Sequence, residues 1–161
     1  MQIEIIIQIA ALVITALLFM VLIPKNKIRQ AHVAFLFKQV LTWIFGLMVA
    51  EFRLIEYPVR LFAHATRASF TFEYFVYPGI CAFFNIFYPE DKNFFRQLVH
   101  YIIYCSGITI FEVILLSYTD IIKYTNWTWY WTWITLFVTF YISRKYYVWF
   151  FSTDDKKNKA L

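Results

Sequence analysis

Ile3-Glu4-Ile5-Ile6-Ile7-Gln8-Ile9-Ala10-Ala11-Leu12-Val13-Ile14-Thr15-Ala16-Leu17-Leu18-Phe19-Met20-Val21-Leu22-Ile23 decides what kind of protein this is. Glu4 and Gln8 are its only strongly polar residues. About 20 apolar residues at a rise of 1.5 Å are what an α-helix needs to cross the hydrocarbon of a bilayer. Pro24 stops the run, and Lys25, Lys27 and Arg29 form a short basic loop behind it. A secretory leader would have a positive stretch before the apolar run and a small-x-small cleavage site after it. Neither is present, so the stretch reads as a retained anchor.

Outward from this segment the chain repeats the pattern. A second apolar run extends from about Ala31 to Glu51, with Pro58 barring continuation. A third covers Phe70 to Tyr88, with Pro78-Gly79 predicting a kink near its middle. A fourth covers Leu98 to Tyr118 and a fifth Tyr124 to Ser143. The whole chain of 161 residues is 61% hydrophobic and 23% aromatic, with a mean hydropathy of +0.59. One water-soluble core of this size could not hide that much apolar surface.

The predicted class is all-α, an integral membrane bundle of about five transmembrane helices. Residues 1–151 form a single helical domain and 152–161 a charged tail expected to be disordered. Between Val59 and Ser69, Arg60, His64 and Arg67 recur at helical spacing, which predicts a short interfacial helix. Lys38 lies two turns inside the second run, from where its alkyl stem could carry the ammonium back to the headgroups. Trp127, Trp129, Trp131 and Trp133 read as an aromatic belt at one interface. Strict alternation there could mean a strand, but an isolated strand leaves its backbone unpaired in lipid.

The net charge of +5 could suggest nucleic acid in a soluble chain. Here the basic residues flank apolar runs, so they read as orientation signals, and the expected partner is the bilayer rather than nucleic acid. With the amino terminus outside, Lys25, Lys27, Arg29, Lys92, Arg96, Arg144, Lys145, Lys156, Lys157 and Lys159 fall inside. Only Arg53, Arg60, Arg67 and Lys123 fall outside. This balance predicts an outer amino terminus and a cytoplasmic carboxyl terminus.

That topology converts sequence position into depth. Glu51, Arg53, Glu56, Arg60, Glu73 and Glu112 then gather in or just above the outer half, Glu112 about 6 Å outward of the midplane. Charges there are costly and need partners or a role. Three arrangements fit: Arg53 or Arg60 paired with Glu112 or Glu73 to lock helices together, a polar cavity for an ion, proton, headgroup or small solute, or a catalytic site.

The catalytic arrangement has little behind it. There is no His-Glu-x-x-His pair, Gly-x-Ser-x-Gly elbow or Gly-rich phosphate loop. His32, His64 and His100 are scattered, so no metal or cofactor is expected. Cys81 and Cys105 sit inside apolar runs and read as buried small hydrophobes. Asn126-Trp127-Thr128 fits a glycosylation sequon that arises often by chance.

Four features together carry a resemblance: the helix ending Phe87-Tyr88-Pro89, Glu112 within the next span, the Asn126-Trp127 pair opening an aromatic-rich last span, and its closing Arg144-Lys145-Tyr146-Tyr147. Over roughly residues 70 to 151 the chain resembles an uncharacterised family of small polytopic membrane proteins of spore-forming Firmicutes. The resemblance implies the polytopic architecture and a bacterial cytoplasmic membrane, and it carries no activity over to this chain. The resulting expectation is a non-enzymatic protein acting through lipid, a membrane-protein partner or its own copies. The alternative is a subunit of a small transporter or channel using the outer-half carboxylates, and the least favoured is a membrane enzyme acting on lipid.

Overall fold

The computed structural model describes the backbone of residues 2–158 and the side chains of residues 3–152. Each apolar run is largely helix, the one conformation besides a closed barrel that pairs the backbone of such a segment without water, although the fifth turns helical only at Trp129. Helix α1 is Gln2–Leu22, α2 Ile28–Glu51, α3 Tyr77–Ile86, α4 Phe94–Tyr118 and α5 Trp129–Asn158. A 3₁₀ turn, Lys25–Lys27, leads into α2, and a π-helical stretch, Phe70–Val76, runs directly into α3. Among the described residues the only strands are β1, Ile55–Glu56, and β2, Lys123–Tyr124. They pair antiparallel, with Ile55 opposite Tyr124 and Glu56 opposite Lys123. The class is all-α. Helix α1, the stretch Lys25–Glu51, and α4 are long and apolar enough to cross a membrane.

Packing follows small residues. On α2 the buried positions are Ala31, Ala34, Lys38, Thr42, Gly46 and Ala50, a stripe at spacings of three and four that lets neighbours approach closely. The same logic joins α1 to α3, where a Cβ on Gly79 would meet Thr15 Cγ2 at 2.6 Å. At the centre the fully buried ring of Phe84 packs against Tyr101, Tyr104 and Phe140 at 4.8, 5.4 and 4.7 Å between centroids.

Two ends can be distinguished. At one, Gln8 near the start of α1 donates to the Val59 carbonyl at 3.0 Å and accepts from the Leu61 amide and the Thr71 hydroxyl at 3.3 Å each. Here the α2–α3 and α4–α5 connections are tied together by the β1–β2 pair, and the Val59 amide donates to the Asp120 carbonyl. At the opposite end Arg144 pairs with Glu90, Tyr147 donates to Gln30, and Phe37 stacks on Tyr146.

Two expectations are corrected. Residues 59–69 form successive turns rather than an interfacial helix. Phe62 adopts φ 59°, in the left-handed region that a right-handed helix excludes. The Arg60 guanidinium meanwhile donates to the carbonyls of Tyr57, Ala63 and Thr66, doing for the loop what helical amides would otherwise do. Lys38 does not reach back to a surface. It is completely buried, because its position lies within the inward stripe of α2. The last helix continues beyond Ser143 through Asn158, and of the tail 152–161 the final three residues lie outside those described.

Candidate functional site

Glu112 enters the core from the buried face of α4, which also carries Tyr101, Cys105, Ile108, Thr109 and Leu115. A carboxylate there must be hydrogen-bonded to be tolerated. Three hydroxyls converge on it. Tyr77 donates to Oε2 at 2.9 Å, Thr132 to Oε1 at 2.8 Å, and Tyr124 to Oε1 at 2.5 Å. Behind Thr132 the Trp127 indole N–H donates to the threonine oxygen at 2.9 Å. The β1–β2 pairing sets Tyr124 in place, and the first turn of α5 sets Thr132.

Glu73 belongs to the π-helical stretch and is less fully served. Tyr57 donates to its Oε1 at 3.1 Å. The carboxylate lies against α2 at Gly46, where a Cβ would stand 2.7 Å from its Cγ. Pro78, five residues on, has no N–H to offer the Glu73 carbonyl, and the Thr42 hydroxyl donates to it at 2.5 Å instead. The neighbouring Tyr74 carbonyl receives the Gln39 amide at 2.9 Å. The expected break at Pro78-Gly79 is therefore a change from π to α geometry with its carbonyls capped from α2.

Both carboxylates line one cavity of ≈ 100 Å³ between α2, the π–α3 unit, α4 and α5. Thr42, Gly46, Tyr57, Tyr77, Trp127, Thr132, Thr135 and Thr139 are among its walls. At its base Lys38 Nζ donates to Thr139 Oγ1 at 2.5 Å and lies 4.4 Å from the centroid of the Phe140 ring. Among the described residues no carboxylate closes an ion pair with Lys38. Tyr57 stands in the α2–α3 connection. Burial first, and then the charges of Glu73 and Glu112, push its hydroxyl well above the ordinary tyrosine value. Burial and the adjacent Glu112 act the same way on Tyr124. Both phenols thus remain donors at any physiological pH.

Of the six charged residues expected to gather, the structure brings together Glu73 and Glu112. The others stay at the surface. Glu51 pairs with Arg67 at 3.1 Å, both largely exposed. Arg53 follows the end of α2 with φ 53° and is exposed, and Glu56 is exposed opposite Lys123 in the strand pair. Arg60 is committed to loop carbonyls. No arginine is paired with Glu73 or Glu112 among the described residues.

The tryptophans divide as well. Trp129 and Trp131 are exposed, whereas Trp133 donates to Ser106 at 3.1 Å and Trp127 faces the cavity. Lys38, Tyr57, Tyr77, Tyr124, Thr132 and Thr139 join the site through tertiary packing that the sequence pattern does not show. Only Lys38 left a usable trace, as a charge at the spacing of a small-residue stripe.

Comparison with protein-family models, curated proteins and solved structures finds no match to this chain.

Proposed function

We propose that the protein is a non-enzymatic, five-span protein of a bacterial cytoplasmic membrane whose cavity takes up and releases a proton at Glu73. The observation that carries this reading is the unequal service of two carboxylates in one small space. Three hydroxyl groups converge on Glu112, while Glu73 accepts from one, although both border the same cavity. An environment that treats two neighbouring acids differently assigns them different protonation roles. The space is right for a few waters. With its walls as they stand it has no room for a lipid headgroup, so the cavity favours the ion-scale alternative over lipid binding.

Several features support five crossings. Helix α5 has 30 residues. The unit Phe70–Ile86 spans about 25 Å at the helical rise, a little short of the ~30 Å hydrocarbon, a mismatch that local thinning and flanking aromatics can absorb. The end carrying Lys25, Lys27, Lys92, Arg96 and Lys145 would be cytoplasmic and the amino terminus outside. The likeness to membrane proteins of spore-forming Firmicutes points to the same membrane.

The test is infrared difference spectroscopy of the purified full chain between acid and neutral pH. A carboxylic-acid carbonyl band that disappears in Glu73→Gln and persists in Glu112→Gln supports the reading. A titration unchanged by Glu73→Gln overturns it.

A further inference from the structure

Below the cavity the polar residues do not stop. On α3 and its π-helical lead-in, Glu73, Tyr77, Cys81 and Asn85 follow at intervals of four, so they share one face. On α5 the matching series is Thr132, Thr135, Thr139 and Ser143. Lys38 sits where the two series meet, and its partner Thr139 is also a cavity wall.

Among the described residues, three buried polar atoms lie beyond Lys38 without a hydrogen-bond partner: Asn85 Oδ1, Ser143 Oγ and Arg144 Nη1. Asn85 is 2% exposed and Ser143 1%. The Asn85 amide donates to the Cys81 carbonyl at 3.0 Å, leaving its oxygen open. The Cys81 thiol is a polar neighbour of Ser143 on this face and interacts with it only weakly. Arg144 ends the series at the basic end, its other terminal nitrogen on Glu90 and its guanidinium 4.1 Å from the centroid of the Tyr88 ring. Buried polar atoms are rarely left unmet, and such a cluster is where ordered water is held.

We propose that Asn85, Ser143 and Arg144 hold a short file of water that joins Lys38 to the basic end, so that the bundle carries a proton route from one face to the other with Lys38 as its gate. This rests on the proton-uptake reading of Glu73. A proton taken up by Glu73 passes through cavity water beside Thr42 and Thr139 to a neutral Lys38 amine. Glu73 returns to the carboxylate, and Lys38 becomes the ammonium. The ammonium releases one proton to water at Ser143 and Asn85 and is neutral again. Only O–H and N–H bonds are made and broken, and one proton crosses per cycle.

While Lys38 holds its proton, the transient charge blocks a continuous leak, since a second proton cannot pass a cation in so apolar a place. The titratable groups facing Lys38 are Glu73 and Cys81 from the π–α3 unit and Cys105 from α4. Among the described residues, helix α5 presents the uncharged Thr139 and Phe140 to it.

The experiment uses the full chain in liposomes loaded with a pH-sensitive dye, with a potassium diffusion potential as driving force. Wild type should acidify or alkalinise the lumen according to the sign of the potential. Lys38→Met and Asn85→Leu should each cut the flux by about an order of magnitude, while the Glu73 carbonyl band remains. Ser143→Ala, which removes one oxygen and little volume, gives a second reading should Asn85→Leu fail to fold. Wild-type flux in Lys38→Met and Ser143→Ala, or no flux in wild type with the Glu73 band present, overturns the route and leaves proton uptake standing. Loss of the band itself overturns both.

Discussion

A methyl group on Gly46 would stand 2.7 Å from Glu73 Cγ and 2.9 Å from Cδ, so the carboxylate keeps its position only because α2 has no side chain there. Gly46→Ala is expected to cost about 1–3 kcal/mol as an overpacked contact and to pull Glu73 from Tyr57. The control is Gly107→Ala, where a Cβ meets nothing within 4 Å. It should gain about 0.5–1 kcal/mol from helix propensity. Unfolding of both variants in detergent separates the two outcomes.

Tyr57 supplies a pH signature at the same scale. Its hydroxyl is raised in the folded chain, so its share of stability is complete below the ordinary tyrosine value of about 10 and is lost as pH climbs beyond it. Alkaline unfolding should therefore be shallower in Tyr57→Phe than in wild type. Single residues were also the hardest scale to read from sequence. Glu112 stood out as a lone carboxylate in an apolar run, but its three hydroxyl partners come from three separate segments. The Lys38 stem is long enough to snorkel, but its register with Ala34, Thr42 and Gly46 turns it inward.

Among the elements, the π–α3 unit depends on donors borrowed from α2. Thr42→Val keeps the shape and removes the hydroxyl from the Glu73 carbonyl, which should cost about 1–3 kcal/mol for a buried acceptor left unmet. In a Pro78→Ala background a backbone N–H becomes available to the same stretch, and the cost of Thr42→Val should fall. A double-mutant cycle of unfolding free energies that shows no coupling would contradict this account. The helices themselves were legible because long apolar runs leave the backbone no other way to pair. The segment 59–69 was not. The spacing of Arg60, His64 and Arg67 satisfies a helical pattern, but spacing cannot show that Arg60 turns back onto carbonyls or that Phe62 takes a left-handed conformation.

For the molecule as a whole, the position of Gln8 against Val59 and of Arg144 against Glu90 puts the start of α1 and the later part of α5 at opposite ends. In the proposed membrane orientation, a cysteine replacing Arg53 should react with an impermeant maleimide in intact cells. One replacing Asp91 should react only after permeabilisation. The reverse pattern would invert the topology. The placement of those two helix segments at opposite ends was legible in the sequence, since alternating direction follows from helix order and short connections. The meeting of Glu73 with Glu112 was foreseeable as shared depth, whereas the absence of arginine beside them was not, because Arg53 and Arg60 lie in connections whose course apolar periodicity does not govern.

The two-residue ladder between Ile55–Glu56 and Lys123–Tyr124 has a consequence at Glu112. Neighbouring residues of a strand point to opposite sides. A slip of one position would swing the Tyr124 phenol outward and bring Lys123 or Thr125 toward the acid, exchanging a neutral phenol for an ammonium or a shorter alcohol. The alignment of two surface connections thereby selects which chemical group greets a carboxylate deep in the bundle. Mutations in those connections that look remote from the cavity should be felt inside it.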